Sequence, residues 1–185
     1  PGALLVLVVD VLFPKRDSAV FGMTLVTLGV TGASVLGFAG VDTTASAGLL
    51  AVDGFSTFFK LMFLLSAVVT VFMSAPYLRA ESIQAGEYYF LIICATLGMM
   101  FMASGIDLIT LFIGLELMAV SFYILAGFIK PNQRSNEAAV KYFLLGAFSL
   151  GILLYGMSLF YGITGTTSLS GIADALAGSD QTLLL

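Results

Sequence analysis

The stretch Asp107–Phe128, DLITLFIGLELMAVSFYILAGF, is apolar for about the thickness of a bilayer, yet it carries a carboxyl near its middle, at Glu116. An acidic side chain at the centre of a spanning helix costs roughly 2.5–3.5 kcal/mol. The apolar run points to a membrane helix, and the charge inside it calls for a reason.

Composition puts the rest of the chain in the same class. Hydrophobic residues make up 59% of the 185 positions and charged residues 10%. Soluble domains carry about 25% charged residues, so this chain cannot cover a soluble core with polar surface. It reads as an all-α, multi-span integral membrane protein. The net charge of −4, with no basic patch, argues against nucleic acid as a partner. There is no histidine, and the single cysteine, Cys94, lies within an apolar run. That excludes a disulfide framework and argues against haem, iron–sulfur or zinc ligation in this chain. Pro1 opens directly into ALLVLVVDVLF, and QTLLL at the other end resembles the start of a helix, so the expected reading is an internal piece of a larger protein.

The hydrophobic runs predict six membrane segments in one domain: about 1–13 (partial), 18–40, 55–76, 88–105, 107–128 and 137–162, with 163–185 as a non-cytoplasmic loop and the start of a further helix. The connections FPKRDS, ASGID and KPNQRSN carry turn residues. Of seven Lys and Arg, five lie in connections: Lys15, Arg16, Arg79, Lys130 and Arg134. Counting spans places all five on one side. The alternate connections carry Asp42, Asp53, Asp107, Asp174 and Asp180 instead. By the positive-inside rule the basic side is cytoplasmic.

Three charges remain inside spans. Glu116 stands nine residues from Asp107 and twelve from Phe128, too deep for a short side chain to reach the interface. One reading is a protonated structural hydrogen-bonder. The other is functional: a carboxyl caught between desolvation and a nearby lysine can load and release a proton. Lys141 lies one turn inside its span, four residues after Glu137. It is either an interfacial i,i+4 partner of that glutamate or an interior relay group with Glu116 on the preceding, antiparallel helix. Lys60, among Phe55, Phe58 and Phe59, fits a snorkelling residue in an interfacial aromatic belt. Lys60, Glu137 and Tyr123 are secondary candidates for the same proton chemistry. Asp10 is expected at the interface. Gly29, Ala33 and Gly37, and again Gly146, Gly151 and Gly156, suggest small-residue faces for close helix contact.

The sequence LFIGLELMAVSFYILAGF, the basic loop KPNQRSNE and then AAVKYFLLGAFSLGILLYGMSLFYG resemble subunit N of respiratory complex I. DGFSTFFKLMFLLSAVV is similar to the same subunit's third helix, and the likeness runs from about residue 50 to about residue 165. The resemblance implies a fourteen-helix antiporter-like subunit, of which this sequence covers part of the first span through the sixth. Glu116 then matches the family's helix-five glutamate and Lys141 its helix-six lysine, while the glutamate's main lysine partner lies on a seventh helix. It further implies a translocase subunit of NADH-quinone oxidoreductase in an energy-transducing membrane, that of the bacterial cell being the first choice. The other membrane and peripheral subunits are its implied partners. NADH, FMN, iron–sulfur clusters and quinone would sit in those subunits, with no cofactor in this chain. The alternatives are a cation/proton antiporter or membrane-bound hydrogenase subunit, and a structural bundle whose charges are locked in pairs.

Overall fold

The computed structural model describes residues 2–12, 17–81 and 85–178. Lys15, Arg16, Asp180 and the closing QTLLL lie outside the described residues. Seven helices account for most of the rest: α1 (Gly2–Leu12), α2 (Asp17–Gly37), α3 (Gly54–Ala80), α4 (Ala85–Ser104), α5 (Leu108–Ala126), α6 (Gln133–Thr164) and α7 (Leu169–Gly178). Helices α2 to α6 are long and apolar enough to cross a bilayer, and α1 is a shorter apolar helix of 11 residues. The 20 and 19 residues of α4 and α5 rise about 30 Å, matching the hydrocarbon core. The 27 and 32 residues of α3 and α6 rise roughly 40 and 48 Å and so extend past it.

Helix α4 is the hub, packing against α1, α2, α3 and α5. Val6, Val20, Leu64, Val71, Leu78, Tyr89 and Ile92 form the buried cluster around it. In a membrane, apolar burial does little to hold helices together, so close packing must do more. That packing is tightest where α4 meets α5. A Cβ at Gly98 would stand 2.5 Å from the carbonyl oxygen of Gly114 and 2.7 Å from the amide nitrogen of Met118, and one at Gly114 would stand 2.9 Å from the carbonyl oxygen of Gly98. The two backbones touch because neither glycine has a side chain. Of the glycines in the expected small-residue faces, Gly146 packs closely on α5, while Gly29, Gly37, Gly151 and Gly156 meet no neighbour within 4 Å among the described residues. Most buried hydroxyls are satisfied within their own helices, as expected where no water competes, and Ser104 Oγ at the end of α4 is the exception among the described residues. Thr24, Thr96 and Ser121 each donate to the carbonyl four residues earlier, at 2.9, 2.7 and 2.7 Å.

At the acidic end, the connection between α2 and α3 holds a small hairpin. Strands β1 (Thr43–Ala45) and β2 (Leu50–Val52) pair antiparallel, Thr44 opposite Ala51. The hairpin belongs to a larger clasp. The Ile106 amide donates to the Leu49 carbonyl at 3.2 Å, the Leu108 amide to the Thr167 carbonyl at 2.9 Å, and the Leu169 amide to the Ile106 carbonyl at 3.0 Å. Residues 105–107 therefore lie between the hairpin and 167–169. Asp53 and Ser56 form a capping box on α3. Asp107 caps α5 by accepting from the Ile109 amide at 2.9 Å, and its other oxygen accepts from the Thr167 hydroxyl at 2.6 Å. The part of 163–185 expected to be loop contains α7, which follows the clasp directly. Asp107→Ala removes both bonds and should cost about 1–2 kcal/mol. Thr167→Val removes only one and should cost less. Thermal unfolding of the two variants checks this ordering, and an unmoved midpoint for Asp107→Ala would show that its two side-chain bonds add nothing.

The opposite end carries the described basic residues of the connections. Arg79 lies in the last turn of α3, because that helix continues through Pro76 to Ala80. Pro76 withholds one N–H from the Phe72 carbonyl, a loss membrane helices tolerate. Lys130 precedes α6, whose N-cap is Asn132, and Arg134 lies in its first turn. Asp10, expected at the interface, reaches across from α1 to the start of α4, where its carboxyl lies against Gly86.

Candidate functional site

Helix α5 is a clean span from its Asp107 cap to Gly127, and Glu116 occupies its middle. The α5–α6 pairing is antiparallel and can be read contact by contact. Gly127 packs on Ala139, where a Cβ would come within 2.7 Å. The Tyr123 ring meets Tyr142 and Phe143 edge-on at 4.8 and 5.7 Å and lies over Gly146, where any Cβ would collide with its hydroxyl. Counting on by the same antiparallel step puts Glu116 level with Leu150.

At that level a cavity of about 260 Å³ opens between the helices. Phe112, Glu116, Val120 and Tyr123 line it from α5, and Phe143, Ala147, Leu150 and Gly151 line it from α6. Glu116 is half-buried, and among the described residues it has no hydrogen-bond or ion-pair partner. A carboxyl held in apolar surroundings needs either a counter-charge or a proton. The space beside Glu116 is large enough for a few water molecules.

The other sequence candidates fall elsewhere. Lys141 Nζ donates to Glu137 Oε1 at 2.5 Å, and both side chains are well exposed, at 69% and 59%. Helix α6 packs on α5 and α7, and none of its residues is buried. In the α5–α6 register Lys141 stands level with Leu125, nine residues and roughly 14 Å along the axis from Glu116. The structure thus joins Lys141 to Glu137 and does not bring it to Glu116. Tyr123 lines the same cavity as Glu116, two turns toward the basic end. Lys60 is half-buried on α3, with Asp53 as its electrostatic partner, in the acidic half of the bundle. The nearby Phe55 and Phe58 are exposed, as a belt requires. No cluster of His, Cys, Asp or Glu placed to hold a metal ion occurs among the described residues. Sequence reasoning missed the Gly98–Gly114 contact that seats α5, because two isolated glycines on different helices leave no spacing signature.

Comparison with known proteins gives a consistent picture. Residues 105–185 match the family described as NADH:quinone oxidoreductase/Mrp antiporter, transmembrane. The chain is 44% identical over 187 aligned residues to NADH-quinone oxidoreductase subunit N 2 of Rhizobium meliloti, covering all of this chain and 39% of that protein. It is 58% identical over 130 residues to subunit N 1 of Koribacter versatilis, covering 70% of this chain and 25% of that one. Among solved structures, a chain of respiratory complex I from Thermus thermophilus with bound aureothin superposes with a TM-score of 0.77 at 32% identity, over 95% of this chain and 40% of that chain. An archaeal membrane-bound sulfane sulfur reductase shares the fold, with a TM-score of 0.76 at 22% identity. The chain spans about two fifths of the length of its full-coverage relatives. With its spans, its mid-membrane glutamate and these matches, this multi-pass membrane chain belongs to the NADH-quinone oxidoreductase subunit N family.

Proposed function

We propose that this chain is part of a proton-translocating membrane subunit of an NADH-quinone oxidoreductase, and that Glu116 takes up and releases the proton. One observation carries the proposal: an unpaired carboxyl at mid-span, in a cavity between two packed helices. In this reading NADH, flavin, iron–sulfur clusters and quinone belong to partner subunits of the complex. Their redox steps would act on this chain by moving a positive charge toward or away from Glu116, expelling or loading its proton. Infrared difference spectra of the whole complex, reduced minus oxidised, test this directly. A carboxylic-acid carbonyl band that disappears in Glu116→Gln supports the role. Identical spectra for wild type and variant would remove Glu116 from the pathway.

The exposed Glu137–Lys141 pair makes Lys141 at most a distant tuning charge. At roughly 14 Å, two unit charges couple by about 1 kcal/mol even at an effective dielectric near 20, and by less where one is solvated. Lys141→Ala is therefore expected to change coupled turnover less than about threefold. Its effect should vanish in a Glu116→Gln background if the two charges communicate at all. A tenfold loss in the single variant would instead make Lys141 a relay group in its own right. The family description also names Mrp antiporters, which keeps cation/proton exchange as a second reading. Transport that needs sodium would favour it.

A further inference from the structure

A second cavity, remote from Glu116, opens at the basic end between α1, α4, α5 and the connection to α6. Its volume is about 600 Å³, within the range of small-ligand sites. The wall toward the membrane interior is apolar, formed by Leu7, Phe90, Leu91 and Ile124. The rim is charged and of both signs: Glu81 and Glu87 on one part, Lys130 on another. All three rim residues are exposed, and no ion pair ties them to one another among the described residues. The rim lies at the helix ends, Glu81 capping α3, Glu87 in the first turn of α4 and Lys130 just after α5. An apolar wall one or two turns below a mixed-charge rim matches a molecule with a zwitterionic head and a hydrocarbon tail.

We infer that this cavity seats an aminophospholipid of the ethanolamine type from the leaflet at the basic end. The primary ammonium faces Glu81 and Glu87, the phosphate faces Lys130, and the upper acyl chains lie against Leu7, Phe90, Leu91 and Ile124. Each part of the choice has a physical ground. Two carboxylates against one ammonium leave the described rim net negative, which repels an anionic phospholipid. A primary ammonium offers three N–H donors to those carboxylates. A choline head has the same charge and no N–H to give.

The test uses the whole assembled complex in phosphatidylcholine nanodiscs. These carry a trace of phosphatidylethanolamine with a photoactivatable diazirine near the top of one acyl chain. Crosslinks are expected within residues 85–91 and 124–131. Unlabelled phosphatidylethanolamine should compete for them, and neither added phosphatidylglycerol nor the bulk phosphatidylcholine should do so. Glu81→Gln with Glu87→Gln should lower the yield about tenfold, the change that ~1.4 kcal/mol of lost binding produces. Lys130→Ala should lower it as well. Because the three side chains are exposed, assembly serves as an internal control, and Glu87→Gln alone provides a milder variant. Equal competition by phosphatidylglycerol would mean that a cationic patch recruits any phosphate. A yield untouched by the glutamate variants would mean ordinary contact with bulk lipid. Either result overturns the assignment.

Discussion

The Glu116→Gln complex is expected to assemble in normal amount and to pump protons at about a tenth of the wild-type rate or less. The amide has the volume of the carboxyl and lies in the same cavity, so packing between α5 and α6 is kept. No hydrogen bond or ion pair is lost among the described residues, because Glu116 makes none there. A substitution of that kind shifts stability by only about 0.5 kcal/mol. What disappears is the exchangeable proton. Glu116→Asp keeps the proton but draws it back by one methylene, so partial pumping is expected. The measurement is the ratio of protons moved to electrons transferred, in vesicles holding equal amounts of complex. A wild-type ratio in the Gln variant would show that Glu116 is a structural residue.

The second large effect concerns stability. Gly98→Leu is expected to destabilise the subunit by more than about 3 kcal/mol, beyond the usual range for overpacking, and that is a sizeable share of a typical folding free energy of roughly 5–15 kcal/mol. The cause is what the new side chain meets. The carbonyl of Gly114 and the amide of Met118 are backbone atoms and cannot rotate away. Helices α4 and α5 must separate, and α4 is the helix on which α1, α2 and α3 also pack. Gly114→Leu should behave alike, since the contact is reciprocal. Gly29→Ala serves as the control: it meets open space in this chain, and removing a helical glycine gains roughly 0.5–1 kcal/mol. Loss of the subunit from purified complex on heating reads all three. Equal thermal profiles for Gly98→Leu and wild type would mean the two helices do not touch there.

Most of the architecture could be read from hydropathy, because each span must satisfy its own backbone and therefore appears as an unbroken apolar run. The ends were harder. Helix α3 outlasts Pro76, and α6 starts at Gln133, four residues before the apolar run, because Asn132 caps it. The hairpin at 43–52 turns through Ser46, Ala47 and Gly48, all at positive φ, and of the three only the glycine favours that conformation. The contact of Asp10 with Gly86 joins residues 76 positions apart, and nothing local announces it. Glu116 was legible as the candidate site because charge at mid-span is so costly. For Lys141 the sequence left both readings open, relay group or surface partner of Glu137, although it stands four residues inside its span, against twelve for Glu116 from the same end. Two groups on an antiparallel pair meet only when those depths agree.

The clasp at the acidic end joins residues 49–50, 105–107 and 167–169, three segments made at different moments of synthesis. The chain emerges amino terminus first. When α5 is inserted, the Ile106 carbonyl and the Leu108 amide still await Thr167 and Leu169. Those partners arrive only after α6 has crossed the bilayer in the correct direction. A nascent chain whose sixth helix stalls or inserts backwards leaves these backbone groups open, together with the second oxygen of Asp107. Closure of the clasp therefore requires that α6 has crossed the bilayer and returned residues 167–169 to the end where α5 begins.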